Sequence, residues 1–240
     1  MSSIDQFIAT NKEKWNRLYS RRTDDSVAKT ESELRSVPGT EETIAPFLRD
    51  YFAKLPEGLE VLEIGCGPGI NLVELAKTHR CTGLDISKVA LESARQLASE
   101  RGVEVRLVEG GFYQLPFEAD RFDCLVASFC LQFNTWSSAQ KVWSEIARVL
   151  RSGGYFVFKV RSTSRDVPLS AERIEDRGIT FVSYENHEHG MTYHHFSESE
   201  IEELMERNGL EKIDLYEHKE ERADEEQGKR GWWTGLYRKA

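Results

Sequence analysis

The segment VLEIGCGPG, residues 61–69, constrains the fold of this chain more than any other feature. A short apolar run ends in an acidic residue, and Gly65, Gly67 and Gly69 follow just before a helical pattern. Glycines at such a turn permit positive φ and let a ligand approach the backbone. The segment therefore predicts a strand, a glycine turn and a helix with a binding site at the turn.

Short apolar runs alternate with helical periodicity after this point. The predicted strands are 61–64, 81–86, 103–108, 122–127 and 155–160. The predicted helices are 70–79, 88–101 with Ser87 as N-cap, and one through Val142–Leu150 that Ser152-Gly153-Gly154 ends. Strands that alternate with helices of this length indicate β-α-β units and a parallel sheet.

The alternation stops after residue 161. Residues 161–195 are polar and rich in histidine, and a helix at 198–208 follows with a capping box from Ser197 and Glu200. Two further strands are expected at 210–218 and 232–238, on either side of an acidic loop. We therefore expect the last two strands to form an antiparallel hairpin at one edge of the sheet.

The N-terminal part has a different character. Residues 3–20 carry one apolar stripe that predicts a helix, 21–42 are polar without a period, and 43–54 predict a second helix. The expected organisation is an N-terminal helix with a lid or linker at 1–42 and a main domain at 43–240. Within that domain, 161–195 would be an insert on the substrate side.

Composition indicates the cellular compartment of this protein and the classes of partner that it would bind. The 240 residues carry a net charge of −9, and the four cysteines form no C-x-x-C pair. Scattered thiols fit a reducing compartment, and no apolar stretch approaches the ~20 residues that span a bilayer. We expect a soluble cytoplasmic protein without a membrane partner, and the acidic charge disfavours nucleic acid.

The glycine turn departs from the dinucleotide fingerprint. G-x-G-x-x-G needs a glycine where this chain has Ile70, and the carboxylate of Glu63 would repel a pyrophosphate. Asp85 ends the second predicted strand, 20 positions after Gly65, where a carboxylate can accept hydrogen bonds from ribose hydroxyls. These residues favour a nucleoside whose tail is cationic.

Four ordered blocks carry a resemblance to a known family: VLEIGCGPG, GLDIS, LPFEADRFDCLVAS and EIARVLRSGGYFVF. The chain resembles a class I S-adenosylmethionine-dependent methyltransferase of the small-molecule type, in the methyltransferase-domain 11/25-like group. The match covers about residues 58–160. It implies an α/β, Rossmann-like fold with a seven-stranded, mostly parallel sheet, helices on both faces and an antiparallel C-terminal strand.

The resemblance also implies which residues hold the cofactor, S-adenosyl-L-methionine, and its product S-adenosyl-L-homocysteine. The amino-acid end would contact Glu63, Gly65, Cys66, Gly67 and Gly69. The ribose and adenine would contact Asp85, Ile86, Gly111 and Phe112. Ala127 and Ser128 would lie beside the sulfonium, and Trp15 and Tyr19 would cover the site unless they are simply core residues of their helix. Similar proteins carry an Asp-Ala pair where Gly111-Phe112 stands here, so the carboxylate that accepts from adenine is absent.

The catalytic group is unknown from the sequence, and its candidates are His194, His195, Tyr113 and Tyr155. His187, His189, His194 and His195 lie close together in sequence, but a strand turns His194 and His195 to opposite faces, so we predict no metal.

The methyl acceptor is inferred by elimination. The chain lacks the D/N-P-P-Y/F motif of amino-methylating nucleic-acid enzymes and the Pro-Cys pair of cytosine-C5 enzymes. A small molecule is expected, and Arg161 and Arg165 are candidates to hold an anionic one. The alternatives are an RNA or protein methyltransferase, or a nucleotide-binding module without transferase activity. The acceptor atom stays open between O, N, S and C, as does the oligomeric state.

Overall fold

A computed structural model describes residues 11–20, 44–175, 179–184, 190–221 and 228–240. The chain divides into two compact units, Met1–Gly111 and Phe112–Ala240. The predicted boundary between residues 42 and 43 lies outside the described residues, as do 3–10 of the first predicted helix, His187 and His189. The predicted domain organisation therefore stays a prediction.

Six helices are described. They are α1 (11–20), α2 (Pro46–Phe52), α3 (Ile70–Leu75), α4 (Lys88–Arg101), α5 (Trp136–Val149) and α6 (Glu198–Arg207). The helix expected at 70–79 is shorter than predicted, because only its first six residues are helical.

Ten strands are described. They are β1 (Glu60–Ile64), β2 (Arg80–Asp85), β3 (Val105–Glu109), β4 (Phe122–Ser128), β5 (Leu150–Arg161), β6 (Glu172–Glu175), β7 (Ile179–Ser183), β8 (Met191–His195), β9 (Leu210–Glu221) and β10 (Lys229–Lys239). Seven of them form one sheet in the order β3-β2-β1-β4-β5-β10-β9. This order, with antiparallel strands at its end, confirms the predicted fold class.

In the first unit, β1, β2 and β3 pair in parallel, so that Val61 lies beside Cys81 and Cys81 beside Val105. Ser87 begins α4 as predicted, because its hydroxyl oxygen accepts a hydrogen bond from the backbone N–H of Ala90 at 3.2 Å. Such a cap satisfies an N–H group that the helix itself leaves unpaired. The cap places the start of α4 directly after the end of β2.

In the second unit, β5 begins at Leu150, immediately after α5 ends. The prediction that Ser152-Gly153-Gly154 ends the helix is therefore wrong, since all three residues belong to the strand. The absence of a side chain at Gly154 instead lets β5 pack closely against β4. A Cβ atom on Gly154 would lie 2.9 Å from the carbonyl oxygen of Asp123 on β4.

The predicted insert at 161–195 contains a small antiparallel sheet in the order β6-β7-β8. Only the strand near Met191 was expected from the sequence. Phe181 of β7 lies opposite Tyr193 of β8, and both side chains are fully buried with their rings 5.6 Å apart. This segment is polar in composition, so the sequence did not predict that one aromatic pair would form its core.

The C-terminal hairpin forms as expected. β10 pairs antiparallel with β5 on one side and with β9 on the other. Gly235 of β10 lies opposite Phe158 of β5, and a Cβ atom there would overlap the Phe158 ring. The absence of a side chain at Gly235 therefore lets the ring fill the space over the strand.

Replacing Gly235 with Ala is expected to lower the free energy of unfolding by about 1–3 kcal/mol, because the added methyl group overpacks the Phe158 ring. Gly111→Ala is the matched control, since a Cβ atom at Gly111 meets nothing within 4 Å. It should change stability by less than about 0.5 kcal/mol. Urea unfolding midpoints measure both, and equal midpoints for the two variants would contradict the packing assigned to Phe158.

Candidate functional site

The glycine turn after β1 has the left-handed backbone that its sequence predicts. The φ angles of Gly65, Gly67 and Gly69 are +66°, +52° and +85°. The carbonyl oxygen of Leu84 accepts hydrogen bonds from the N–H groups of Gly65 at 2.7 Å and Cys66 at 3.1 Å. These bonds fasten the turn to the end of β2.

Asp85 supplies a second attachment. Its Oδ2 accepts from the N–H of Gly67 at 2.8 Å, and its Oδ1 accepts from the N–H of Ser87 at 2.8 Å. Burial raises the pKa of the Asp85 carboxyl, while these backbone donors act in the opposite direction. The sequence predicts Asp85 as a ligand for ribose, which stays a prediction, and the sequence analysis missed that Asp85 holds the turn. The serine two positions after an aspartate was the available signal.

Glu63 is a buried carboxylate with one unsatisfied oxygen. Its side chain is 1% exposed, Oε1 accepts from Nδ2 of Asn71 at 2.9 Å, and Oε2 has no hydrogen-bond partner. Burial raises the pKa of Glu63, the hydrogen bond from Asn71 opposes this and the nearby charge of Asp85 adds to it, and together they bring the pKa to about 8. An uncompensated buried charge is costly, so a cationic group beside Oε2 would restore the ionised form.

Asn71 was not predicted from the sequence. Its Nδ2 donates to Glu63, and its Oδ1 accepts from the backbone N–H of Ala45 at 3.0 Å, just before α2 begins. Asn71 thus orients the carboxylate and connects the site to α2.

The helix α1 lies against the glycine turn. The Tyr19 hydroxyl lies 2.9 Å from the position that a Cβ atom on Gly67 would occupy, and Tyr19 is buried. The Ser87 hydroxyl donates to Oδ1 of Asn16 at 2.8 Å, and Lys12 forms an ion pair with Glu109 at the end of β3. Three contacts, one per turn of α1, therefore align this helix along the ends of β2 and β3.

Four other predicted residues of the first unit have different surroundings. The rings of Trp15 and Tyr19 stack at 5.8 Å. Cys66 packs its sulfur towards β2, where a Cβ atom on Gly83 would lie 2.8 Å from Sγ. Ile86 is half-buried, and Gly111 borders open space.

Three predicted residues belong to the second unit. Ala127 is fully buried and Ser128 half-buried at the carboxyl end of β4, whereas Phe112 packs its ring 4.9 Å from Tyr113. Phe129, directly after β4, has a φ of +52°, which costs a non-glycine residue about 1–2 kcal/mol. Strain of this kind is common beside functional sites, and sequence reasoning had no signal for it.

Tyr113 is a poor candidate for a general base. Its side chain is buried, and its hydroxyl donates to Oδ1 of Asn134 at 3.0 Å. Burial raises the pKa of Tyr113 well above its usual value. The hydroxyl therefore keeps its proton at neutral pH.

His194 connects the N-termini of two helices. Its Nδ1 lies 2.6 Å from the Thr180 hydroxyl, and its Nε2 lies 3.5 Å from Oε2 of Glu200, the capping-box residue of α6. Thr180 also bonds Glu175, whose Oε2 accepts from the N–H of Trp136 at the start of α5 at 2.6 Å. This chain of bonds gives His194 a structural role.

His195 points away from that chain and is also fully buried. The Phe181 ring contacts it edge-on at 5.0 Å, and neither ring nitrogen has a well-formed hydrogen bond. Burial, followed by the positive charges of Arg161 and Arg165, holds the pKa of His195 well below its usual value, while the Arg165 backbone acts weakly in the opposite direction. In the described part of the chain, no three His, Cys, Asp or Glu side chains are grouped closely enough to hold a metal ion.

A comparison with protein-family models matches the segment that runs from β1 into β5. The profile of a family described as "methyltransferase domain" matches residues 61–154, from β1 into β5. Residues 61–154 are thus similar to the methyltransferase domain that this family model describes. The resemblance drawn from the four sequence blocks is thereby confirmed for this segment.

Two curated methyltransferases are similar to about half of this chain. The sarcosine/dimethylglycine N-methyltransferase of Aphanothece halophytica is 36% identical over 113 residues, which cover 45% of this chain and 40% of that protein. The fatty-acid O-methyltransferase of Mycolicibacterium smegmatis is 32% identical over 130 residues, covering 53% of this chain and 46% of that protein. The chain therefore spans less than half the length of these two relatives.

Solved structures are similar in fold to a larger part of this chain. The 1,6-didemethyltoxoflavin-N1-methyltransferase of Burkholderia thailandensis was solved with bound 1,6-didemethyltoxoflavin and S-adenosylhomocysteine. It superposes with a TM-score of 0.70 at 21% identity, covering 100% of this chain and 92% of that one. A methyltransferase from Methanosarcina mazei gives 0.63 at 23% identity, covering 82% and 98%. Among the described helices, none has the length and apolar character needed to cross a membrane.

Glu63 makes the stability of the cofactor-free protein depend on pH. Because its folded-state pKa is raised from 4.5 to about 8, its contribution to stability is full below about pH 4.5 and is lost as the pH rises towards 8. Glu63→Gln removes this loss. At pH 8 the variant should unfold with a free energy larger by on the order of 3 kcal/mol.

Urea unfolding at pH 8 and at about pH 5 measures the effect, and the gain should shrink at the lower pH. Glu104→Gln, at an exposed position on the same unit, is the control and should show no gain. A stability gain that is the same at both pH values would contradict the buried, unsatisfied state of Glu63.

Proposed function

We propose that this protein is an S-adenosylmethionine-dependent methyltransferase that acts on a small-molecule acceptor. The observation that carries the proposal is the buried carboxylate of Glu63, with one unpartnered oxygen, beside a left-handed glycine turn that Asp85 holds in place. A negative group at this point suits a nucleoside with a cationic tail and repels a diphosphate.

The residues of the turn fit this cofactor. Oε2 of Glu63 would receive the cationic end, and the absence of side chains at the turn makes room for the Tyr19 hydroxyl beside Gly67 and for Ala94 beside Gly69. The Asp85 carboxylate accepts backbone N–H groups of Gly67 and Ser87, with a further contribution from Ile86, and a remaining lone pair would accept from a ribose hydroxyl. Proposed further contacts are Gly65, Cys66, Gly67, Gly69, Ile86, Gly111, Phe112, Ala127 and Ser128.

The cofactor supplies an activated methyl group when it is bound, and its leaving sulfur departs neutral. The chain therefore needs no acid, and it gains mainly by aligning the acceptor with the methyl carbon, an effect worth up to ~7–11 kcal/mol in favourable systems. A base is required only when the acceptor must lose a proton. The proposed mechanism is an in-line transfer for which Tyr113, which keeps its proton, is not needed.

Three observations support a small-molecule acceptor. The two curated relatives are named for small acceptors, sarcosine or dimethylglycine and a fatty acid. The structural neighbour from Burkholderia thailandensis binds the small molecule 1,6-didemethyltoxoflavin. The net charge of −9 disfavours electrostatic attraction of RNA. We also propose a cytoplasmic location, since all four cysteines are buried thiols outside any disulfide.

Calorimetry tests the cofactor assignment. S-adenosylmethionine should bind and NAD should not, because a cation stabilises the ionised form of Glu63, whereas the diphosphate of NAD would meet an acidic side chain and no cationic partner there. Asp85→Asn should weaken S-adenosylmethionine binding by about 10- to 150-fold, the effect of losing a charge-assisted bond worth about 1.5–3 kcal/mol. Asp50→Asn is the control, since the Asp50 side chain is 67% exposed on α2.

Transfer of labelled methyl groups separates the alternatives. Incorporation into small-molecule extracts but not into bulk tRNA, rRNA or peptides is the expected result. Label incorporated into RNA or peptides would contradict the small-molecule acceptor and indicate an RNA or protein methyltransferase. Tight cofactor binding without any methyl transfer would instead indicate that the protein is a nucleotide-binding module without transferase activity.

We also propose that α1 closes over the cofactor as a lid. Support comes from the Tyr19 hydroxyl against Gly67, the Asn16 bond to Ser87 and the Lys12 ion pair with Glu109, all at the glycine turn or at the ends of β2 and β3. These are the carboxyl ends of parallel strands, where ligands bind in such folds. A lid here would exclude water from the reaction.

Tyr19→Ala is expected to raise the KM for S-adenosylmethionine about tenfold, whereas Arg17→Ala, at an exposed position of the same helix, should leave it unchanged. Cofactor binding should also slow amide hydrogen exchange over residues 11–20. Unchanged exchange, together with full turnover after deletion of residues 1–20, would show that α1 is an ordinary packing helix.

A further inference from the structure

The amide of Asn71 has a fixed orientation. Its Oδ1 accepts from the backbone N–H of Ala45 at 3.0 Å, and its Nδ2 donates to Oε1 of Glu63 at 2.9 Å. A reversed amide would turn its NH₂ group towards the Ala45 N–H, where two donors would face each other. The Ala45 N–H therefore decides that Asn71 presents a donor to Glu63.

This donor decides which oxygen of Glu63 can carry a proton. Oε1 faces an N–H group of Asn71, so it must act as an acceptor, and a proton on Oε1 would point at another hydrogen. Oε2 is buried and has no hydrogen-bond partner. When the carboxyl group is neutral, its proton therefore resides on Oε2.

The surroundings favour this neutral form when no ligand is bound. The Glu63 side chain is 1% exposed, and among the described residues the charge that acts on it is that of Asp85. A carboxylate that is buried near a second carboxylate is costly, and such a group takes up a proton instead. The pKa of Glu63, raised mainly by burial to about 8, agrees with this state at neutral pH.

The proton belongs to Glu63 rather than to the groups on β2. Burial raises the pKa of Asp85, but backbone N–H groups donate to both of its oxygens and favour its ionised form. Burial, followed by the charges of Glu63 and Glu60, raises the pKa of the Cys81 thiol to about 12, so this thiol stays neutral. Glu63, with one donor from Asn71, is therefore the group that holds the proton.

We propose that Asn71 is a positioning residue for cofactor binding, because it keeps the exchangeable proton of Glu63 on the oxygen that receives the ammonium group of the cofactor. As the ammonium group arrives at Oε2, the O–H bond breaks, the proton passes to solvent, and the remaining carboxylate pairs with the cation. Asn71 and Gly65 are half-buried, so the path from the carboxyl group to solvent is short. The inference rests on the proposed methyltransferase function and adds how pH regulates the same site.

The affinity for S-adenosyl-L-homocysteine between pH 6 and pH 7 tests the exchange. The ammonium group of the ligand keeps its own proton in this range. Because ligand and proton compete for Glu63, the association constant should rise about tenfold from pH 6 to pH 7. Calorimetry of the wild-type protein at pH 6.5, in two buffers of different ionisation enthalpy, should show release of about one proton per ligand bound.

Two variants identify the titrating group. Glu63→Gln should remove the pH dependence of binding, because the glutamine side chain has no proton to release. His79→Asn is the matched control, since His79 is the only histidine in residues 1–111 and its Nδ1 accepts from the Leu59 N–H at the opposite end of β1. It should keep the tenfold change.

Infrared spectroscopy of the ligand-free protein tests the role of Asn71. The difference between the wild type and Glu63→Gln at pH 6.5 should contain the C=O band of one protonated carboxyl group. The same difference measured in an Asn71→Leu background should show this band at higher frequency, because Oε1 loses its hydrogen bond. A band at the same frequency would overturn the positioning role, which a merely structural contribution of Asn71 would not produce.

The outcomes separate this inference from the proposed function. Binding with an affinity that is constant between pH 6 and pH 7, or without proton release, would overturn the proton exchange and leave the proposed function standing. A tenfold change that persists in Glu63→Gln would place the proton on another group and also overturn the inference. If S-adenosyl-L-homocysteine binds the wild-type protein at neither pH, the proposed function and the inference are both wrong.

Discussion

The hydrogen bond from the Gly67 N–H to the Asp85 carboxylate is the contact on which the rest of the first unit depends. It joins the turn after β1 to the end of β2, while the second carboxylate oxygen accepts from Ser87 and so places the start of α4. One side chain thereby sets the positions of a turn, a strand end and a helix N-terminus. Left-handed glycines make this possible, because a Cβ atom at Gly69 would lie 2.8 Å from the Cβ of Ala94 on α4.

The same arrangement keeps Glu63 in an unfavourable state. Its carboxylate is buried with one oxygen unpaired, near a second carboxylate at Asp85. Buried carboxylates with an unpaired oxygen are found where a ligand supplies the missing partner. The free energy that the burial of Glu63 costs in folding would then favour the binding of a cation over other ligands. The low exposure that raises the pKa of Glu63 also strengthens its attraction to a positive ligand, since both effects follow from the exclusion of water.

The second unit shows how adjacent residues on one strand acquire opposite roles. The pleat of β8 turns His194 towards Thr180 and the caps of α5 and α6, and it turns His195 towards Arg161 and Arg165. Both rings are fully buried, so burial alone does not distinguish them. Their hydrogen bonds do, because the His194 ring is integrated into a polar chain and the His195 ring is not.

The sequence alone determined the parallel sheet, the glycine turn, the helix cap at Ser87 and the C-terminal hairpin, because these depend on local periodicity and on residues close together in the chain. It also placed Glu63 and Asp85 at the ends of their strands, because these positions are readable from motif spacing. The tertiary structure alone decided that the glycine pair after α5 lies in a strand, that 161–195 holds a small sheet, and that Asn71 orients Glu63. Each of these depends on contacts between residues in different elements, which local patterns do not encode.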